Sequence, residues 1–344
     1  MKGEKSGVRH INIPIFIPHM GCPNMCVFCN QRSISGRLSF DISRVEAEIE
    51  TSLSTVSLED EVEIAFFGGS FTGIDRKLMI DLLSLAQKYV DEGRVKSIRL
   101  STRPDYISDE ILDILSQFAV KTIELGLQSM DNEVLLASKR GHDSLQAEKA
   151  CEMIKKRGFS LIGQMMIGLP QSSVEKEVYT ARKICEMGAD GARIYPTVVF
   201  YDTELCAMMQ DGKYTALTNG EAVERTKEAL KIFVENDVPC IRVGLQSGEN
   251  LSDETCVAGG ANHSAIGELS MSALYLDKIC EEIDNKFEGQ IPENIVIYCP
   301  RGEISKTVGQ KRKNIEKICQ KYQIKRVKVL EKDELLKYNI IITY

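Results

Sequence analysis

The sequence predicts an α/β protein whose main body is a partial barrel of six βα units, followed by a small C-terminal α/β extension. Short runs rich in Ile, Val and Phe alternate with longer stretches of helical period, a pattern typical of repeated βα units around a parallel sheet. After about residue 260 this alternation gives way to a long helix and shorter elements. We therefore predict a barrel domain over residues 1–260 and an extension over residues 261–344.

Each predicted strand is a β-branched or aromatic run, and each predicted helix is a longer segment with apolar residues three or four apart. The predicted strands of the barrel span 11–18, 61–67, 97–102, 121–127, 160–169, 192–199 and 239–245. The predicted helices of the barrel span 43–54, 76–90, 108–117, 144–157, 173–187 and 219–236. The extension is predicted to contain helices at 264–283 and 305–322 and strands at 293–299, 325–331 and 338–343.

The composition predicts a folded protein of the cytoplasm. Of 344 residues, 43% are hydrophobic and 27% are charged, so the chain can bury a sizeable core. It has no run of about 18 apolar residues, and we expect no membrane span. The net charge of −7 argues against a protein that coats nucleic acid with its whole surface, but residues 301–330 carry ten Lys or Arg and only two acids.

Three of the eleven cysteines, Cys22, Cys26 and Cys29, lie within eight positions directly after the first predicted strand. This spacing is tight for a structural zinc site, and a reducing compartment disfavours disulfides. Three thiolates suit a 4Fe–4S cluster, whose usual ligand count of four would leave one iron open. The alternatives are a zinc site or an incidental cysteine-rich loop.

The cysteine spacing, with Phe28 just before the third cysteine, resembles that of radical S-adenosylmethionine (SAM) enzymes. The resemblance implies a 4Fe–4S cluster held by the three cysteines, and SAM bound at the open iron beside Phe28. In that superfamily, reductive cleavage of SAM gives a 5′-deoxyadenosyl radical that takes a hydrogen atom from the substrate. An external electron donor, a flavodoxin or a ferredoxin, is implied as a partner. The partial (βα)6 barrel of the superfamily agrees with the strand count.

The polar ends of the predicted strands are the places where such a fold holds its ligand. The resemblance implies that SAM contacts come from Gly68, Gly69, Ser70, Ser101, Arg103, Gln128, Arg140 and Gln164. Arg140 is expected on the helix after the fourth strand, where related enzymes use an arginine for the SAM carboxylate. For Arg103 and Arg140 the alternative interpretation is a salt-bridged residue on the surface of a helix.

The motifs IPHMGCPNMCVFCNQ, FFGGSFTG, STRPDYI, ELGLQSMDNEVLLASKRGHD, MMIGLPQ and ARIYPTVVFYDTEL together resemble the radical SAM domain of the Elongator catalytic-subunit family, which modifies wobble uridine in tRNA. The resemblance covers about residues 10–245. It departs from the family at Ser101, where members commonly have Glu, and we expect no acetyltransferase domain in this chain. The resemblance implies tRNA or another RNA as substrate. The basic segment 301–330 has two interpretations, an electrostatic contact for RNA phosphates and an ordinary solvated helix face.

Two other functions remain open at this stage. The motifs GLQS and GLPQ also resemble oxygen-independent coproporphyrinogen oxidases, which implies a tetrapyrrole or another small molecule as substrate. A protein that holds the cluster and SAM without turnover, as an accessory or RNA-binding module, is the non-enzymatic alternative. Tyr195, on the same face of the sixth strand as Arg193, is the candidate catalytic residue, and a purely structural tyrosine is its alternative interpretation.

Overall fold

The main body of the computed structural model is a seven-stranded parallel sheet; the structure describes residues 9–17, 21–22, 26–30, 40–57, 59–245, 255–287 and 291–344. The strands of this sheet are β1 (His10–Ile17), β2 (Glu61–Gly68), β3 (Ser97–Thr102), β4 (Val120–Gln128), β5 (Ser160–Ile167), β6 (Gly191–Pro196) and β8 (Cys240–Val243). They are hydrogen-bonded in chain order, and each neighbouring pair is parallel. The predicted partial barrel is confirmed.

Helices connect the strands. They are α1 (Val45–Leu53), α2 (Arg76–Asp91), α3 (Asp109–Leu115), α4 (Asn132–Ala137), α5 (Ser144–Lys156), α6 (Val174–Glu186), α7 (Glu204–Gln210) and α8 (Asn219–Glu235). A side chain caps the first turn of most of them, because the first backbone N–H groups of a helix lack partners within it. These capping residues are Asp75, Ser108, Asp131, Asp143, Ser173, Thr203 and Thr218. All six predicted barrel helices are present, whereas the short helices α4 and α7 were not predicted.

The two faces of the sheet differ in chemistry because side chains alternate along each strand. The face covered by helices is apolar: Ile64 and Phe66 of β2 and Ile123 and Leu125 of β4, for example, belong to the main hydrophobic core. The opposite face, which is the interior of the partial barrel, carries charged and amide side chains. These are Glu63, Arg99, Glu124, Gln164 and Arg193.

The segment predicted as one strand over 192–199 forms two strands. β6 ends at Pro196, and β7 (Val198–Phe200) leaves the sheet to pair antiparallel with β9 (Val257–Gly260). The single-strand prediction is wrong because a proline cannot donate a ladder hydrogen bond, and the chain changes direction there. Thr197 confirms the turn, since its N–H and its hydroxyl both donate to the Ile167 carbonyl.

The C-terminal extension packs a small mixed sheet against a long helix. Its elements are α9 (Ile266–Phe287), β10 (Asn294–Cys299), α10 (Ile304–Val308), α11 (Lys313–Tyr322), β11 (Arg326–Glu331) and β12 (Ile341–Thr343). β10 lies between a parallel β11 and an antiparallel β12. The basic helix predicted over 305–322 is broken between α10 and α11, where Lys311 and Arg312 adopt positive φ values. The domain division at residue 260 stays a prediction. No helix in the described part of the chain is long and apolar enough to cross a bilayer.

Candidate active site at the carboxyl ends of the strands

The cysteine segment follows β1 and lies at the carboxyl end of the barrel. The Cys29 N–H donates to the Cys26 carbonyl at 3.0 Å, which forms a tight turn. Val27, which follows Cys26, donates its N–H to the Ser138 carbonyl. The Val27 carbonyl accepts a hydrogen bond from the N–H of Leu205 at the start of α7. These bonds fix the turn between the end of α4 and the start of α7. Cys26 is buried in this turn, whereas Cys22 and Cys29 are partly exposed.

Two buried arginines converge on the thiol of Cys26. Arg140 Nη1 lies 3.2 Å from Cys26 Sγ, and Arg103 Nη1 lies 3.8 Å from the same sulfur. Arg140 is held by a 2.6 Å bond from its Nη2 to the Gly126 carbonyl, and Arg103 by paired 2.9 Å bonds to Asp105. Arg103 Nη2 also donates to the Arg140 carbonyl. The two side chains therefore form one connected cationic site behind the cysteine turn.

The positions of these arginines correct one expectation. Arg140 does not lie on a helix; it lies in the turn between α4 and α5. Arg103 precedes the short 3₁₀ turn Pro104–Tyr106 at the end of β3. Their exposures are 4% for Arg103 and 5% for Arg140, so neither is a surface residue of a helix.

The electrostatics of Cys22 follow from the same two arginines. Burial raises the pKa of the Cys22 thiol, and the nearby Arg103 and Arg140 guanidinium groups and the backbone N–H of Ser70 act in the opposite direction. Cys26 also affects the pKa of Cys22, which shows that the two sulfurs share one environment. The two guanidinium groups favour the thiolate, the form in which cysteine binds a metal, but burial outweighs them and the pKa of Cys22 lies above its ordinary value.

The predicted glycine-rich strand end lies directly beside the cysteine segment. Gly68 has φ +109, and a Cβ there would lie 2.8 Å from the Ile17 carbonyl oxygen of β1. The Gly69 N–H donates to that same carbonyl at 2.8 Å. Gly21 approaches so closely that a Cβ on it would lie 2.2 Å from the Ser70 carbonyl oxygen. The glycines therefore allow the chain before Cys22 to pack against the end of β2.

The side chain of Ser70 is engaged within the protein. Its hydroxyl forms a 2.8 Å hydrogen bond with the hydroxyl of Thr102 and accepts the N–H of Arg103 at 3.2 Å. Thr72 bonds the same Thr102 hydroxyl at 2.6 Å. Ser70 thus connects the ends of β2 and β3, and any contact from it to a ligand would come from its backbone.

Gln128 and Arg140 carry buried polar atoms that lack partners in the described part of the chain. Gln128 has φ +65 and follows an irregularity in the pairing of β4 with β5. Its Oε1 is buried with no hydrogen bond, and the same holds for Arg140 Nε. A Cβ on Gly126 would lie 3.1 Å from Gln128 Nε2 and 3.5 Å from Arg140 Nη2, which places both side chains over that glycine. An acceptor and a donor therefore stand together at the end of β4, and a polar ligand would satisfy both.

The remaining predicted contacts lie deeper in the barrel. Gln164 donates from Nε2 to Glu124 Oε2 at 2.8 Å. Ser101 is partly buried on β3 and is paired in register with Glu124. Arg193 Nη2 donates to Glu124 Oε1 at 2.7 Å, and its Nη1 donates to the Tyr195 hydroxyl at 3.3 Å. Burial raises the pKa of Tyr195, so its phenol is protonated at neutral pH.

Glu124, Arg99 and Glu63 were not predicted as site residues. Arg99 bridges the two carboxylates: it donates from Nη1 to Glu124 at 3.0 Å and from Nε and Nη2 to Glu63 at 3.0 and 2.8 Å. The sequence does contain a sign of this network, because several otherwise apolar strands have one charged residue near the middle. In each strand that residue alternates with the core residues and so faces away from the helices.

Phe28 is partly buried and packs against apolar residues next to the cysteine turn. It contacts a small apolar cluster of Val27, Val199, Leu205, Cys206 and Tyr214. Among the described residues, no three His, Cys, Asp or Glu side chains stand at metal-binding spacing, and this includes the three cysteines of the motif. Assignment of a cluster to them therefore depends on the donor types and the cationic surroundings, both of which suit three thiolates.

Comparison with known proteins agrees with the motifs. A family model described as the radical SAM superfamily matches residues 16–184, and one described as the radical SAM C-terminal domain matches residues 189–277. The tRNA uridine(34) acetyltransferase of Methanocaldococcus infernus is 26% identical over 300 residues, which are 72% of this chain and 53% of that protein. Protein YhcC of Escherichia coli is 24% identical over 225 residues, which are 60% of this chain and 71% of that protein.

The fold has a solved counterpart. The structure of archaeal Methanocaldococcus infernus Elp3 with an N-terminal deletion aligns with a TM-score of 0.61 and 23% identity, covering 80% of this chain and 64% of that one. The chain spans about half the length of the curated tRNA acetyltransferases that it matches. These matches confirm the fold class and the resemblance to the radical SAM domain of the Elongator catalytic subunit.

Proposed function

The chain belongs to the radical SAM superfamily, and from that premise we propose that it is an enzyme that holds a 4Fe–4S cluster through Cys22, Cys26 and Cys29 and binds SAM at the adjoining strand ends. When bound, this pair of cofactors supplies a one-electron reduction and a carbon radical able to remove hydrogen from a substrate. The observation that carries the proposal is the convergence of two buried guanidinium groups on Cys26, next to the unpartnered atoms Gln128 Oε1 and Arg140 Nε.

Each part of the site has a role that its geometry supports. Arg103 and Arg140 offset the negative charge of thiolates in a buried place. Arg140 Nε and Gln128 Oε1 are a free donor and a free acceptor for a ligand that carries both a carboxylate and hydroxyl groups, as SAM does. Gly68 lets the end of β2 pack closely against β1 and beside the chain that leads to Cys22.

Reductive cleavage of SAM separates an enzyme from a non-catalytic module. The protein is reconstituted with iron and sulfide without oxygen, reduced chemically, and assayed for 5′-deoxyadenosine. We expect product from the wild type and none from Cys26→Ala, which should also lose most of its iron. Cys185→Ala, a partly buried cysteine on α6, is the matched control and should behave as the wild type. A wild type that binds iron and SAM but forms no 5′-deoxyadenosine would refute the enzymatic proposal.

We propose RNA as the substrate class, with residues 301–330 as its contact surface. The relatives named as tRNA acetyltransferases support this proposal. So does the surface itself, since Lys311, Arg312, Lys313 and Lys317 are exposed and have no ion-pair partner in the described part of the chain. Unpaired cations of this kind can neutralise phosphates and release counterions on binding.

Filter binding of tRNA tests the RNA proposal. The triple variant Lys311→Ala, Arg312→Ala, Lys313→Ala should bind at least tenfold more weakly than the wild type, and its affinity should depend less steeply on salt concentration. A control triple variant removes the same charges from exposed helix positions on α5 and α6: Lys149→Ala, Lys156→Ala and Arg182→Ala. Equal binding by both variants, or no binding by the wild type, would favour a small-molecule or tetrapyrrole substrate.

The electron for the cluster has to come from outside the chain, and we propose a flavodoxin or a ferredoxin as the donor. Reduced flavodoxin should replace the chemical reductant in the 5′-deoxyadenosine assay. No product with either protein, alongside normal product with the chemical reductant, would contradict this partner.

A further inference from the structure

Arg103 uses more of its guanidinium N–H groups in contacts within the protein than Arg140 does. Its Nε and Nη2 bind the two oxygens of Asp105, its Nη2 also donates to the Arg140 carbonyl, and its Nη1 points to Cys26 Sγ. A guanidinium has five N–H groups, and four are oriented by these contacts. Arg140, by contrast, has a buried Nε that makes no hydrogen bond among the described residues. The two arginines therefore have different amounts of bonding capacity left for a ligand.

The position of Arg103 is fixed from several directions. Its backbone N–H donates to Ser70 Oγ at 3.2 Å, and Pro104 sets the backbone of the turn that carries Asp105. Asp105 Oδ1 also lies 3.8 Å from Nδ1 of His142, a side chain that is fully buried. A guanidinium held at this many points cannot swing away from Cys26 toward a ligand without breaking a paired ion bond.

A cation fixed beside a cluster ligand changes the energy of reduction. Reduction adds one negative charge to the metal centre, and a buried positive charge or hydrogen bond at a ligand sulfur stabilises the reduced state more than the oxidised state. The effect is strong here because Arg103 is buried, where charges are poorly screened.

We propose that Arg103 is a positioning residue that sets the reduction potential of the cluster by donating to the Cys26 thiolate, and that Asp105 holds it there. This inference rests on the proposed function, because it requires the cluster. Arg140 also contacts the Cys26 sulfur, through Nη1 at 3.2 Å, but its Nε makes no hydrogen bond among the described residues and is left for a ligand, whereas Arg103 is assigned to the cluster only. The electron itself comes from an external one-electron donor, as above.

The test is a potentiometric titration of the reconstituted protein, followed by electron paramagnetic resonance, with iron content measured in parallel. Arg103→Gln removes the charge and should lower the equilibrium constant for reduction by about tenfold, a shift of about 59 mV to lower potential for one electron. Asp105→Glu keeps the charge but lengthens the side chain, so it should displace the Arg103 guanidinium from Cys26 and shift the potential in the same direction by a smaller amount. Arg103→Lys restores the charge and should recover part of the shift.

The control is Arg157→Gln, at the residue directly after α5, whose side chain is paired with surface carboxylates far from the cysteine turn in the sequence. It should leave the potential unchanged. If Arg103→Gln fails to retain iron, the comparison of Asp105→Glu and Arg103→Lys with the wild type decides the question. A wild-type potential in cluster-loaded Arg103→Gln, or in both of the other variants, overturns the inference and leaves the proposed function intact. A wild type that takes up no cluster defeats the proposed function itself.

Discussion

The carboxylate of Glu124 neutralises positive charge in the interior of the barrel, and we expect the replacement of Glu124 by Gln to destabilise the fold. Glu124 is 0% exposed and accepts hydrogen bonds from Arg99 at 3.0 Å, from Arg193 at 2.7 Å and from Gln164 at 2.8 Å. The substitution keeps the size of the side chain and removes its charge. Because the site cannot be rehydrated when it is this deeply buried, the positive partners lose their compensation.

The size of this destabilisation follows from the partners that each arginine keeps after the substitution. Arg99 keeps both bonds to Glu63, so its charge stays paired. Arg193 keeps only the Tyr195 hydroxyl at 3.3 Å and the ring of Phe67 at 5.4 Å, and its Nε has no partner in the described part of the chain. One buried cation is therefore left uncompensated, which costs about 3–5 kcal/mol of the free energy of unfolding.

Urea unfolding, followed by circular dichroism, measures this change. Glu110→Gln is the control, since Glu110 is 75% exposed and lies 3.4 Å from Arg76, and its loss should cost less than about 1 kcal/mol. Adding Arg193→Met to Glu124→Gln removes the orphaned cation and should recover about 1–3 kcal/mol. The reasoning is refuted if Glu124→Gln stays within about 1 kcal/mol of the wild type, or if the second substitution makes the protein less stable still.

Three further changes have defined outcomes. Gly68→Ala should destabilise the protein by about 1–3 kcal/mol in thermal unfolding, because a Cβ there meets backbone 2.8 Å away; Gly93→Ala, also at positive φ but with nothing within 4 Å, should cost less. Burial, and then Arg140, lowers the pKa of His142 to about 4, so the folded state excludes a proton that the unfolded chain binds below about pH 6.5. Wild-type stability should therefore fall between about pH 6.5 and 4, and His142→Leu should flatten that part of the profile. Gln128→Leu should change stability by less than about 1 kcal/mol and weaken SAM binding in equilibrium dialysis about tenfold, since the buried Oε1 makes no bond within the described structure; unchanged SAM affinity would remove Gln128 from the site.

The barrel could be predicted from the sequence because its strands and helices are determined by local pattern. β2 and β3 match their predicted spans within one residue, since a strand buried on its helix-covered face appears as a short β-branched or aromatic run. β9 was missed because its four residues, Val257–Gly260, contain two glycines and form a strand only by pairing with β7, nearly sixty residues earlier. The break between α10 and α11 was missed because the apolar period continues across it while Gly309 turns the backbone.

The candidate site could be predicted only in part, for a similar reason. Cys22, Cys26, Cys29 and Arg140 carry local motifs that identify them in the sequence alone. The bonds of Arg103 to Cys26, 77 residues away, and to the Arg140 carbonyl, 37 residues away, exist only after the strand ends have been brought together. Motifs show which residue types are present, but the folded sheet determines which charged side chains contact one another.

The net charge of the buried ionised side chains differs between the interior of the barrel and the strand ends near the cysteine turn. Deep in the barrel, Arg99 and Arg193 are matched by Glu63 and Glu124, so that region is close to neutral. At the strand ends, Asp105 is the one carboxylate among the described residues that pairs with Arg103 or Arg140, which leaves an excess positive charge next to Cys26. Thiolates and a ligand carboxylate can supply the missing negative charge at the strand ends, whereas the deep network has no such need. The proposed anionic assembly at the cysteine turn would therefore complete the electrostatic balance of this part of the fold, so the distribution of charge supports the same position as the cysteine motif.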